Sequence, residues 1–196
     1  MASPAGGAAP LDPKSVAFAT ENKDKISENF LNKHKDLWEK TVPLSSIKGH
    51  ANEYEAIFFV GGHGPMFDLA SDKTSQDLIR EFYNKNKIIA AVCHGPVALA
   101  QVELDDGKKL LEGQMVTGLT DSEERGAGVQ VPFSLEKRLD IASGGGFVRS
   151  ENDWEPKVVI SRHGRLITGQ NPASATGVGQ AIYDAIFGDV TTADAK

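Results

Sequence analysis

Two uninterrupted apolar runs stand out in a chain whose hydrophobic positions are otherwise interleaved with polar ones. Residues 55–60 read Glu-Ala-Ile-Phe-Phe-Val and stop at Gly61-Gly62, and Ile88–Val92 reads Ile-Ile-Ala-Ala-Val and stops at Cys93-His94-Gly95-Pro96. Short runs without polar alternation predict strands buried on both faces, as parallel sheets require. Between them, Leu78, Ile79, Phe82 and Tyr83 share one face of a helix over 73–86. Shorter strands are predicted over 114–119, over Val158–Ser161 and over 165–168, the last two flanking a hairpin turn at His163-Gly164. A helical stretch over 97–102 follows the cysteine turn, and a helix over 174–187 follows the last strand. Nearer the start, Ile26, Phe30, Leu31, Leu37 and Trp38 recur at helical spacing over 21–40, with Pro43 as a stop. This gives one amphipathic helix or two short ones. The cluster Ser3-Pro4-Ala5-Gly6-Gly7, with Pro10 and Pro13, predicts loop over the first twenty residues.

Strands alternating with helices place the chain in the α/β class, with a mostly parallel sheet covered on both faces and the site at the carboxyl ends of its strands. A length of 196 residues, 40% of them hydrophobic, suits one domain over 1–188 followed by a polar tail at 189–196. The net charge of -6 argues against nucleic acid or an anionic membrane as partner and leaves a small diffusible substrate. A single cysteine rules out an internal disulfide, and neither a secretory core nor a membrane-length apolar run is evident. A cytoplasmic location is expected.

The candidate chemistry centres on Cys93. A nucleophile between a buried strand and the first turn of a helix sits on a sharp bend that projects its side chain into the cleft. Amides at a helix start lower a thiol's pKa, so Cys93 is expected to be substantially thiolate at neutral pH. The plainer alternative is a small buried hydrophobe. His94 can move protons, although spacing alone leaves it as base, orienter or structural residue. The loop Gly61-Gly62-His63-Gly64 ends the neighbouring strand, and its glycines let amides approach a developing oxyanion. His63 and Asp68 could orient each other. No four-ligand spacing supports zinc at His63, Cys93 and His94, so no metal is expected. Thr117-Gly118-Leu119-Thr120-Asp121-Ser122-Glu123-Glu124 reads as an acidic loop after a strand, with Asp121 and Glu124 solvated and Glu123 within reach of the cleft. Asn171 and Ser174 stand where a helix cap or a cleft lining is needed.

Gly61-Gly62-His63-Gly64 with Asp68, Ala90-Ala91-Val92-Cys93-His94-Gly95-Pro96, Thr117-Gly118 with Thr120-Asp121, Val131-Pro132-Phe133 and Thr168-Gly169-Gln170-Asn171-Pro172-Ala173-Ser174 occur in order. Together they resemble the ThiJ/PfpI superfamily, in its fungal glyoxalase III-like branch, also known as D-lactate dehydratase or stress chaperone. The resemblance implies a flavodoxin-like three-layer sandwich and a homodimer without cofactor. It also implies glutathione-independent conversion of methylglyoxal or glyoxal, with Cys93 and His94 catalytic and Gly62, His63, Gly64, Gly95 and Asn171 about the oxyanion and substrate. In that family a strand-helix-strand unit precedes the segment resembled by residues 2–13 and carries a glutamate that contacts the cysteine. Met1 stands in its place, so the chain is expected to lack its first unit and to have impaired activity. A PfpI-like cysteine peptidase or amidase, a holdase chaperone and a redox sensor are the rival readings.

Overall fold

The fold was described from a computed structural model covering residues 1–128 and 130–188; the tail expected at 189–196 lies outside the described residues. The chain divides into two compact units, the first Met1–Ile47 and the second from Lys48 onward.

The first unit pairs β1 (Ala2–Ser3) in parallel with β2 (Val42–Pro43). Between them lie α1 (Pro13–Glu21), α2 (Lys25–Lys33) and α3 (Lys35–Glu39). The expectation of loop over the first twenty residues fails at α1. The Asp12 carboxylate accepts the Lys14 amide and Pro13 occupies the first turn, where a missing N–H costs nothing. The predicted helix over 21–40 is two short ones, broken at His34. None of the three helices has a buried residue, and Ile26 is 84% exposed.

The second unit holds a four-stranded sheet of β3 (Ala56–Phe59), β4 (Ile88–Val92), β5 (Val158–Ser161) and β6 (Leu166–Gly169), in the order β3-β4-β6-β5. β3, β4 and β6 run parallel, while β5 closes as a hairpin with β6. All five residues of β4 are buried, as its unbroken apolar run predicts. Ile88, Ala90 and Val92 meet Ile167 and Val178, and Ala181, Ile182, Ala185 and Ile186 of α7 (Ala175–Phe187) pack on that cluster. α4 (Lys73–Asn84) also packs on β4 and buries Leu78, Ile79 and Phe82. The result is the mostly parallel α/β sandwich expected.

Three details depart from expectation. The stretch over 97–102 is a single 3-10 turn, Gly95–Leu99. Residues 114–119 form no strand: Val116 bridges to Phe147, but Thr117 N–H goes to the Thr168 hydroxyl and Leu119 N–H to the Cys93 carbonyl. Pairing with a neighbour is confined to Val116, and the amides beyond it turn to the ends of β6 and β4. Two helices, α5 (Asp121–Ala127) and α6 (Leu135–Ser143), occupy the region read as acidic loop and beyond.

Close approach of β3 and the turn after β4 makes Gly95 irreplaceable, because any Cβ there is driven into the Phe59 carbonyl. Gly95→Ala is expected to cost more than about 2 kcal/mol, the scale of a forced backbone shift in a packed core. Gly179, in α7, has open space around it, so Gly179→Ala is expected to stabilise by up to about 1 kcal/mol. Urea unfolding of both variants checks the contrast.

Candidate active site

The turn after β4 is a true elbow. Cys93 has φ 62°, a left-handed conformation that a residue with a Cβ adopts only at a cost. The bend is held at both ends: Cys93 N–H donates to the Gly169 carbonyl of β6 at 2.9 Å, and its own carbonyl accepts Leu119 N–H at 3.0 Å. The glycine loop after β3 comes so near that a Cβ on Gly61 would stand 2.6 Å from the Cys93 Cβ. Gly62, at φ 86°, turns its amide toward the thiol, and the Gly62 and His94 amides both donate to Sγ.

Cys93 Sγ lies 3.4 Å from His94 Nδ1, and the other nitrogen of that ring, Nε2, lies 2.6 Å from Glu124 Oε2. A carboxylate on Nε2 holds the ring proton there and leaves the Nδ1 lone pair facing the thiol. The arrangement can take the Cys93 proton as sulfur attacks a carbonyl, beside amides able to hold the oxyanion. His63 joins from the other side: its Nε2 is 3.0 Å from Glu124 Oε1, and its ring centroid is 4.4 Å from that of His94.

Glu124 comes from α5. Thr120 caps that helix, its hydroxyl accepting the Glu123 amide while the Glu123 carboxylate accepts the Thr120 amide. Successive helical residues point about 100° apart, so the two glutamates part company: Glu123 faces inward and Glu124 faces the elbow. Glu123 does not reach the cleft as expected. It is fully buried and accepts from the Thr120 amide and hydroxyl, the Trp154 amide and the side chains of Gln170 and Asn171. Burial pushes its pKa up, but the hydrogen bonds from Thr120, Asn171, Trp154 and Gln170 outweigh it and hold the carboxyl below its usual value. The pattern Thr-x-x-Glu at 120–123 is a capping box. Read that way, it marks a helix start and puts Glu124 one residue round the turn.

The structure places the other expected residues unevenly. Cys93, His94, Gly62 and His63 converge. Gly64 opens a 3-10 turn, Gly64–Met66, and Gly95 is buried in the packing beneath the elbow. Asn171 does not line the cleft; of the two roles left open it takes the cap, in a reciprocal capping box with Ser174 at the 3-10 turn Pro172–Ser174. It is fully buried, and its amide donates to Glu123 and to the Glu155 carbonyl, which uses both hydrogens. Asp68 accepts the Leu69 amide, while the partner of His63 is Glu124.

The expected thiolate is also corrected. Burial pushes the Cys93 thiol up to about 11, and the charges of Glu124 and Glu123 add to it, against the lowering effect of the Gly62 and His94 amides. A five-residue 3-10 turn supplies no helix dipole to offset this. Burial likewise lowers the His94 pKa, against the raising effect of Glu124. The resting pair is a neutral thiol and a neutral imidazole.

The DJ-1/PfpI family description matches residues 32–185, a span that contains the elbow, the glycine loop and α5. The chain belongs to the DJ-1/PfpI family. It is 32% identical over 168 residues to the glutathione-independent glyoxalase HSP31 of Saccharomyces cerevisiae, spanning 81% of this chain and 69% of that one. Among solved structures, Rapid Encystment Protein 24 KDa of Francisella tularensis superposes with a TM-score of 0.82 at 34% identity, over 93% of this chain and 78% of that one. Glyoxalase III of Candida albicans superposes with a TM-score of 0.74 at 25% identity, over 94% and 78%. Among the described residues of this DJ-1/PfpI chain, no helix is long and apolar enough to cross a membrane.

The raised thiol fixes a pH dependence. Its protonated form supports the fold fully below the unfolded thiol's pKa of about 8.5, and that support is lost as pH rises through about 11. Alkylation of Cys93 by iodoacetamide is expected to climb about tenfold per pH unit through pH 9. A rate that levels off below pH 9 would mean that the thiolate is already formed.

Proposed function

We propose that the protein is a glutathione-independent glyoxalase converting methylglyoxal to lactate, with Cys93 as nucleophile, His94 as the proton carrier and Glu124 as the residue that orients it. The observation that carries the reading is the Cys93–His94–Glu124 relay, with the thiol and base 3.4 Å apart, in a chain 32% identical to a relative bearing that name.

The chemistry balances without an external oxidant, reductant or thiol. Cys93 sulfur bonds to the aldehyde carbon while His94 Nδ1 takes the thiol proton and passes it to the aldehyde oxygen, giving a hemithioacetal. The Gly62 amide stabilises the charge that develops on that oxygen. His94 then removes the proton on the former aldehyde carbon and delivers it to the adjacent ketone carbon, while the hemithioacetal hydroxyl proton passes to the ketone oxygen; the ketone carbon is reduced to the alcohol as its neighbour is oxidised to a thioester. Water cleaves the sulfur–carbon bond, releasing lactate and restoring the thiol. A base that stays neutral at physiological pH suits both transfers, and a neutral thiol reacts only when base and aldehyde are both in place.

Cys93→Ser is expected to abolish methylglyoxal consumption, measured as loss of dicarbonyl and gain of lactate without glutathione; turnover by that variant sinks the reading. Glu124→Gln leaves the ring orientation unenforced and is expected to lower kcat by about 100- to 10,000-fold, the range for general base catalysis, with a smaller change in KM.

A further inference from the structure

Glu124 is the meeting point of two imidazoles, and the relay to Cys93 uses only one of them. His63 Nε2 lies 3.0 Å from Oε1 and His94 Nε2 lies 2.6 Å from Oε2. One ligand atom from each of the three residues falls within 4.8 Å of the others. Two imidazole nitrogens and one carboxylate are the donor set of open three-ligand sites for Zn2+ and similar divalent ions, with a further position left to water. In a tetrahedral site with bonds of about 2.1 Å, ligand atoms stand about 3.4 Å apart, so side-chain shifts on the order of 1 Å bring the three ligand atoms to that spacing and admit an ion. The His63 and Glu124 side chains keep 27% and 14% exposure against 2% for His94, which gives the ion a way in from the His63 side.

We propose that His63, His94 and Glu124 bind one divalent cation of the Zn2+ class, and that the bound ion silences Cys93. The cation takes the Nε2 lone pair of His94, so the ring proton moves to Nδ1 and points at the thiol. A ring carrying metal on one nitrogen and a proton on the other has no lone pair with which to accept the Cys93 proton. The thiol is not a ligand, because it lies on the opposite edge of the ring; Glu124 takes the place that spacing alone would have given to sulfur. The silencing rests on the reading of His94 as the proton carrier, whereas the binding does not.

The test is calorimetric titration of Zn2+ into the full, reduced chain, with circular dichroism confirming that each variant is folded. Wild type and Cys93→Ser are expected to bind one ion per chain with the same affinity. His63→Ala, the bulkier His63→Gln and Glu124→Gln are expected to bind at least about tenfold more weakly, and Mg2+ should give no binding heat. Substitution with Co2+ should give ligand-field bands without a sulfur-to-cobalt charge-transfer band. Undiminished affinity in both His63 variants, or loss of binding in Cys93→Ser, overturns the site. In the methylglyoxal assay, Zn2+ should inhibit wild type at the concentration that half-saturates the titration, and full turnover at saturating Zn2+ overturns the silencing. Absence of turnover in metal-free wild type defeats the glyoxalase reading alone, while the titration still decides the site.

Discussion

The bend at Cys93 has to be held against its own strain, and much of the second unit is arranged to hold it. A left-handed residue with a side chain costs on the order of 1–3 kcal/mol unless its surroundings over-determine it. Here the amide and carbonyl of Cys93 are bonded to β6 and to the segment before α5. Gly61 and Gly95 let the β3 loop close over it. The same constraint explains why the sheet is parallel at its centre: β3, β4 and β6 must end on the same side for their loops to meet at one sulfur.

Electrostatics at the site depend on two adjacent glutamates with opposite fates. Glu123 is locked among donors and helps to keep the thiol protonated, while Glu124 spends its oxygens on imidazoles. A helix start is what separates them. Had the segment been the extended acidic loop that its composition suggests, the angular offset that sends one carboxylate inward and the next to the elbow would not exist.

Legibility in the sequence followed burial. β4 was readable to the residue because an unbroken apolar run admits few interpretations, and α4 because its apolar face is long. The elbow and glycine loop were readable because the residues that make them are adjacent in the chain. Glu124 was not, because it is 30 residues from His94 and its neighbours look like solvent-facing acid unless the capping box is recognised. Asn171 stayed open between cap and cleft lining for a related reason: a polar residue at a strand end can cap a turn, serve substrate or bind a buried carboxylate, and only the partners, Ser174 and Glu123, decide. The thiol's protonation state lay beyond sequence because it depends on how deeply the elbow is packed. The first twenty residues misled because prolines that break a helix interior also begin one.

The cage around Glu123 ties together three stretches that share no strand or helix: the start of α5, the loop at Trp154 and the end of β6 at Gln170 and Asn171. The Glu123 charge adds to neutral hydrogen bonds that already link the loop at 150–157 to Gln170 and Asn171, whereas apolar packing holds the sheet. A carboxyl held below its usual pKa lends stability that is present at neutral pH and withdrawn as pH falls through its folded value. Acid therefore acts on this fold as a selective solvent. It weakens one fastening of the site's rim, the cage around Glu123, while the apolar packing of the sheet holds no charge for acid to neutralise.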